Sequence, residues 1–391
     1  LLAALAAKAM ATVALFGTLG RDEDASVLVE LNPATGAIIR TIGPVGYGVN
    51  GMAYDPTTGL LFATTYHESP TFIDGLITID MTTGAGTPIG AGAGVYVNVA
   101  AVKSTGELYA WSQGPQSPYR FVQLDKVTGV AALVGYPGIQ TFAHSLAFDS
   151  ADTLWLLNGD GSLYTIDLAT AAPTLVGSVP DLPNGYANHG GINPADGLLY
   201  ALSSKDGAPT PQILAIDLAT QAVVAAAPTD PELHTLAFVV LSQVTVTKAG
   251  SGDGGVSSTD TFIDCGPTCT HAYVLAPTVT LNATPDAVSV FTGWLGACTG
   301  TDPCVITASG TVNVSATFAP DTIGTTALDV DSNGAYDALT DGLLVFRQLF
   351  GQTGATMTNN ALAQDANRID PGEIGTFLTD VRPRLDVDGN G

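Results

Sequence analysis

Through the first 240 residues, apolar and polar positions alternate in short runs broken by Pro, Asp, Thr and Gly. That alternation predicts half-buried strands joined by tight turns. Two kinds of run take turns. In one, two strands flank a turn, as in MAYDPTTGLLFAT (52–64), VAAVKSTGELYAW (99–111), LAFDSADTLWLL (146–157) and GINPADGLLYAL (191–202). In the other, an apolar strand ending in Asp or Asn enters a Thr/Gly turn and a further strand. Its copies are LVELNPATGAIIRTIG (28–43), LITIDMTTGAGTPIG (76–90), FVQLDKVTGVAALVG (121–135), LYTIDLATAAPTLVG (163–177) and ILAIDLATQAVVAA (213–226). Leu61, Leu108, Leu154 and Leu199 hold one place in the first kind of run, at spacings of 47, 46 and 45, and Leu15 fits one step earlier. Four short strands in about 46 residues is close to the period of a four-stranded propeller blade.

The ends of the repeat are out of phase. The first unit lacks its first strand, and HTLAFVV (234–240) supplies one in excess. Docking that strand into the first blade closes a ring of five and removes the open edges; six or seven blades is the alternative if repeats have been lost. The region resembles secreted bacterial propellers with FDPxTGxLY…LxxIDxxTG repeats, akin to quinoprotein-like and surface-layer propellers. The likeness spans about 230 residues and implies architecture rather than function.

Just before each innermost strand stand Asn50, Asn98, His144, His189 and His234, at spacings of 48, 46, 45 and 45. Equivalent positions in five blades form a ring at one mouth of the central channel. Two readings are open: a site for a metal, anion or polar ligand, or ties between neighbouring blades. His67, in TTYHESP, is expected in an exposed loop. Neither G-x-S-x-G nor H-E-x-x-H occurs. The Asp of the ID-x-x-T-G unit recurs from blade to blade, which fits a turn cap better than a catalytic acid.

Residues 243–319 differ in character from the repeats. Thr and Val alternate, and all four cysteines, Cys265, Cys269, Cys298 and Cys304, fall here. Turns between Cys265 and Cys269 and between Cys298 and Cys304 favour two local disulfides. Four cysteines allow three pairings, and a four-thiolate zinc site is the rival, though the spacing departs from zinc motifs. Ile263 to Gly266 with Cys269, Leu281 to Pro285, Phe291, Gly293, Trp294, Gly296, Cys298, Cys304 and Ala316 to Phe318 resemble divergent internalin B-repeat modules. That likeness implies spacing or adhesion. Gly250, Gly252 and Gly255 match G-x-G-x-x-G but open no helix, so no phosphate site follows.

After a linker at 320–327, residues 328–391 carry oxygen donors in calcium-loop order: Asp329, Asp331, Asn333, the Ala335 carbonyl and Asp337, with Gly334 at the turn. Position 12 is Thr340, so either the loop is one residue longer, with Asp341 as ligand, or that ligand is missing. A helix follows, with Leu343, Leu344, Phe346, Leu349 and Phe350 on its apolar face. Asp386, Asp388 and Asn390 begin a second loop. The tail resembles a dockerin-type module, which implies Ca²⁺ as cofactor and a cohesin-like protein partner.

The net charge is −24, with 12 basic residues in 391. No basic cluster can follow a phosphate backbone, so nucleic acid is not an expected partner. Cysteines confined to one window of a strand-rich chain point to an oxidising compartment, extracellular or at the cell surface. LLAALAAKAM (1–10) is expected to be the remnant of a signal-peptide apolar region and is too short to span a membrane. The chain is expected to be a fragment at both ends.

The fold expected is mainly β: a propeller over 11–242, a small β module, and a short α-helical calcium-binding tail. The function expected is extracellular binding or adhesion, with a carbohydrate or surface polymer as ligand of the propeller head. A propeller glycosidase or lyase and a structural surface-layer component are the alternatives.

Overall fold

The computed structural model describes residues 12–20, 26–67, 69, 71–112, 119–141, 144–180, 182, 187–203, 211–266, 269–274, 277–286, 289–321 and 328–385. The expected leader, most of the linker and the second partial loop (Asp386, Asp388, Asn390) lie outside them. The chain divides into two compact units, one of residues 1–243 with 272–277 and 308–310, the other of 244–271, 278–307 and 311–391.

The first unit holds five four-stranded antiparallel sheets. From inner to outer strand, blade 1 is Leu233–Val240, Val13–Leu19, Val27–Leu31 and Ile38–Pro44; blade 2 is Val49–Asp55, Leu60–Thr65, Leu76–Ile79 and Gly86–Ile89. Blade 3 is Val99–Val102, Leu108–Ser112, Arg120–Leu124 and Ala131–Gly135; blade 4 is Ser145–Phe148, Leu154–Leu157, Ser162–Ile166 and Pro173–Ser178. Blade 5 is Asn188–Ile192, Leu199–Ser203, Gln212–Ile216 and Val223–Pro228. The five inner strands touch in a closed cycle, blade 5 meeting blade 1. The last strand of the repeat therefore completes the first blade, pairing Phe238 with Leu15 and Val240 with Val13.

Alternation along each strand explains why the ring packs. Successive residues point to opposite faces of a sheet, so neighbours in sequence serve different blade interfaces. Leu15 packs toward blade 5 and Phe16 toward blade 2; Leu156 packs toward blade 3 and Leu157 toward blade 5. The repeated leucines fill one interface each. Leu61, Leu108, Leu154, Leu199 and Leu15 all face the preceding blade and are 0–1% exposed. Full burial of such a side chain contributes roughly 1.5–3 kcal/mol.

The repeated Asx residue caps a turn. Asn32, Asp80, Asp125, Asp167 and Asp217 each accept the backbone N–H groups of the residues two and three ahead, at 2.7–3.1 Å. Hydrogen bonds from the turn threonines hold the four aspartates below the usual carboxylate range.

In the second unit, Thr270–Tyr273, Ser242–Gly250, Thr311–Pro320 and Ser289–Gly296 form one sheet. Gly254–Ser258, Thr278–Pro285 and Cys304–Thr307 form another. Cys265 is bonded to Cys269 and Cys298 to Cys304, the two local pairings. Trp294 is 2% exposed and donates its indole N–H to the Asp302 carbonyl at 2.8 Å. Gly250 lies at φ 92°, and a Cβ there would come 1.9 Å from the Phe318 carbonyl oxygen. Gly250 and Gly252 of the false phosphate motif thus serve close approach to the strand Thr311–Pro320, while Gly255 has open space beside it.

The tail has three helices: α1 (Asp341–Leu349), α2 (Ala355–Thr358) and α3 (Pro371–Leu385). Val330, Leu344, Met357, Ala361, Ile374, Leu378 and Val381 form its core. Of the apolar face expected on α1, Leu344 is buried and Leu343 packs beside it, while Phe346, Leu349 and Phe350 are 56%, 71% and 71% exposed. A helix this short turns only one narrow stripe to so small a core.

Candidate functional site

Within the tail loop, Val330 points into the core at 0% exposure, so Asp329 and Asp331 on either side turn the other way. Gly334, at φ 82°, lets the chain double back. Asp341, the first residue of α1, closes the set. One carboxylate oxygen from each of Asp329, Asp331 and Asp341 lies within 4.8 Å of the other two. The three side chains are 9%, 0% and 3% exposed.

Each carboxylate is held by the backbone. Asp341 accepts the N–H groups of Val330 (2.6 Å), Asp331 (3.1 Å) and Asp337 (3.0 Å). Asp329 accepts those of Asn333 and Gly334, each at 2.9 Å. Asp331 Oδ2 accepts the Ala363 N–H at 2.8 Å, while its Oδ1 has no hydrogen-bond partner among the described residues. Burial, reinforced by the neighbouring Asp341 and Asp329, pushes the Asp331 carboxyl up.

The remaining loop positions are placed differently. Asn333 Oδ1 accepts the Ala335 N–H, and its amide donates to Asp365 at 3.2 Å. Asp337 Oδ1 accepts the N–H groups of Leu339 and Thr340 ahead of α1. Of Thr340 and Asp341, it is Asp341 whose carboxylate stands with those of Asp329 and Asp331. One feature had no sequence signal. The segment 363–368 clasps the loop: Asn367 and Arg368 donate backbone N–H groups to the Asp331 carbonyl, and the Arg368 guanidinium donates to the Val330 carbonyl at 2.7 Å. Three clustered carboxylates and an all-oxygen donor set suit a hard divalent cation.

At the propeller axis, Asn50, Asn98, His144, His189 and His234 are buried, each 9% exposed or less. The register gives three of them the same place. Asn50, His189 and His234 are each the unmatched, bulged residue of their inner strand, between Val49 and Gly51, Asn188 and Gly190, and Leu233 and Thr235. His189 lies at φ 26°. Each bulge adds one residue to its inner strand, which the repeat spacing does not reveal. The His189 ring lies 4.2 Å from that of His234, in the adjacent blade. Asn50 donates its amide to the Val97 carbonyl of the next blade at 3.4 Å. His144 is fully buried against Trp111, and burial pushes its imidazole down to about 3. Among the described residues, the tail carboxylates are the one group of three or more His, Cys, Asp or Glu side chains close enough to share an ion. His67 is exposed, its ring beside Tyr66 and Tyr96.

A cavity of the propeller lies at the other end of the inner strands. Of about 470 Å³, it is lined by the later residues of all five, and none of the axial residues lines it.

A closed five-bladed propeller joined to a disulfide-bearing β module is the class of protein this fold defines. Residues 243–322 match the family of the divergent InlB B-repeat domain. No curated protein matches the chain. Among solved structures, one chain of a nidogen/laminin complex is similar at 11% identity and TM-score 0.39, over 59% of this chain and 99% of that one. A protein of unknown function from Bacteroides caccae is similar at 12% identity and TM-score 0.33, over 58% and 99%. TolB from Acinetobacter baumannii is similar at 9% identity and TM-score 0.37, over 78% and 66%. The two disulfides and the B-repeat match are consistent with an extracellular protein. No helix of the described residues is long and apolar enough to cross a membrane.

Proposed function

We propose that this chain is a modular binding protein of the cell exterior. Its propeller is a recognition head for a carbohydrate or other surface polymer, its B-repeat module a spacer, and its tail a Ca²⁺-binding, dockerin-like unit that docks a cohesin-like partner. The observation that carries this reading is the cluster of Asp329, Asp331 and Asp341, with the buried Asp331 Oδ1 left without a hydrogen-bond partner among the described residues. Three carboxylates crowded away from water repel one another, and a divalent cation removes that cost. Asp329, Asp331 and Asp341 would hold the ion, and Ca²⁺ is the hard cation that tolerates such a flexible oxygen set.

The test is calorimetric titration of the chelator-stripped full chain with CaCl₂, beside Asp331→Ala. One binding event lost in the variant is expected. At about 100 times Kd, calcium adds about 2.7 kcal/mol to the stability of the unit that binds it. No heat in the wild type, or equal heat in the variant, refutes the calcium assignment. A glycan array probed with the same protein, with and without calcium, tests the head.

A structural matrix role is a second reading. The outer strands of blades 2 to 5 (GTPI, AALVG, PTLVGS, VVAAAP) carry no charge, and Leu133, Leu175 and Val224 on them are 51%, 61% and 55% exposed. Uncharged edge strands are templates for strand pairing, so calcium-dependent self-association in sedimentation would favour this role.

A further inference from the structure

Each inner strand stands last in its sheet, so one edge of its backbone faces the axis without a strand partner. Five such edges surround the cavity of about 470 Å³, a size typical of small-molecule sites. Its wall is built of small residues. Ala53, Ala101, Ala147 and Ala237 stand at one level in four blades, and Gly191 in the fifth. A Cβ built on Gly191 meets nothing nearer than 3.8 Å, so side-chain volume is missing there. Above this level Tyr54, Phe148 and Phe238 give the well an apolar, aromatic collar. Backbone groups at the wall require hydrogen-bond partners, while the collar favours an apolar body.

Charge at the mouth sets the sign of the occupant. Asp149, Asp152 and Asp196 line the rim. The Trp155 indole N–H, the Ser104 hydroxyl and the Tyr200 hydroxyl donate to them in turn and fix their positions. Ion pairs among the described residues join Arg40 to Glu30, Lys126 to Asp55 and Lys248 to Asp253, and none involves a rim carboxylate. Lys103 acts on Asp152 only at a distance. In a chain of net charge −24 this mouth attracts cations and turns anions away.

We propose that the axial cavity binds a small organic ammonium ion, its charged head at the rim that carries Asp149, Asp152 and Asp196 and its apolar body within the alanine-lined well. The proposal rests on the recognition-head reading and names the chemistry of what enters it; on a polymer, the group that enters carries a protonated amine. A neutral sugar or an anionic ligand fits the rim poorly.

The experiment is calorimetric titration of the full chain at low salt with three probes that share one ring system: tryptamine, the neutral alcohol tryptophol and indole-3-propionate. Tryptamine is expected to bind about tenfold tighter than tryptophol, and the propionate not at all. Asp152→Asn with Asp196→Asn should bring tryptamine down to the affinity of tryptophol. Gly191→Phe, with Gly191→Leu as the smaller replacement, should abolish binding of both while the thermal melt persists. Equal binding of tryptamine and tryptophol overturns the ammonium preference and leaves the cavity a site. Binding unaffected by both Gly191 variants, or no binding of any probe, overturns the cavity itself. The glycan array reports on the recognition head separately in every case.

Discussion

Acidification between pH 7 and 5 should weaken the propeller through one residue. His144 is fully buried, and burial pushes its imidazole from 6.5 down to about 3. Above pH 6.5 it is neutral in both folded and unfolded chains and contributes nothing. Below 6.5 the unfolded chain takes up a proton that the folded protein refuses, so stability falls with pH until about 3. Linkage gives about 1.4 kcal/mol per pH unit in that window, hence about 2 kcal/mol lost between pH 7 and 5. For a domain of this size the melting temperature drops by roughly 4–8 °C. The turn aspartates act in the same direction but in a lower range. Their carboxyls lie below the usual 3.8, so their stabilisation is present above that value and is lost only as pH falls through their folded values. His144→Asn installs the residue that blades 2 and 3 carry at this level. Urea unfolding at pH 7, 6 and 5, followed by tryptophan fluorescence, should give a pH slope for the wild type about 2 kcal/mol larger over the range than for the variant. Equal slopes would refute the assignment of a neutral, water-excluded imidazole.

Gly191→Ala should raise the melting temperature, because the added methyl meets only ordinary contacts and the unfolded chain loses freedom worth about 0.4–1 kcal/mol. Gly84→Ala should do the reverse, by more than about 1 kcal/mol, since φ there is 85° and the methyl would come 2.4 Å from the Gly43 carbonyl oxygen; thermal melts of the two variants check both signs. Replacing Cys298 and Cys304 together by Ala should cost the β module about 2 kcal/mol, the loop-closure value for so short a ring. Denaturant midpoints with Trp294 as reporter measure it, and an unchanged midpoint would show the bond to be energetically silent.

The propeller was legible because its energetics repeat. One leucine per interface and one Asx cap per blade leave a periodic trace, and the surplus HTLAFVV run shows where the ring closes. The axial cavity left no trace, since inner strands meet it largely with backbone edges and alanines, which look like any other strand interior. The bulges at Asn50, His189 and His234 escaped for a related reason: an extra residue in a ladder does not disturb the spacing of the leucines. In the tail, Asp329 and Asp331 follow the motif, but the inward turn of Asp341 depends on where α1 starts. The clasp by residues 363–368 uses mainly backbone groups, which no residue pattern announces.

Blade 1 also sets a timetable. Val13–Leu19 leaves the ribosome ahead of the other strands of the propeller, yet its inner partner, Leu233–Val240, is made more than two hundred residues later. Until then the nascent chain carries an exposed strand edge, and blades 2 to 5 form an open arc rather than a ring. Contacts of such sequence separation are slow to form, so ring closure is a late step that depends on synthesis of the strand leading directly into the B-repeat module. A chain stopped short of residue 233 would keep four complete blades and still present two sticky ends to any neighbouring copy.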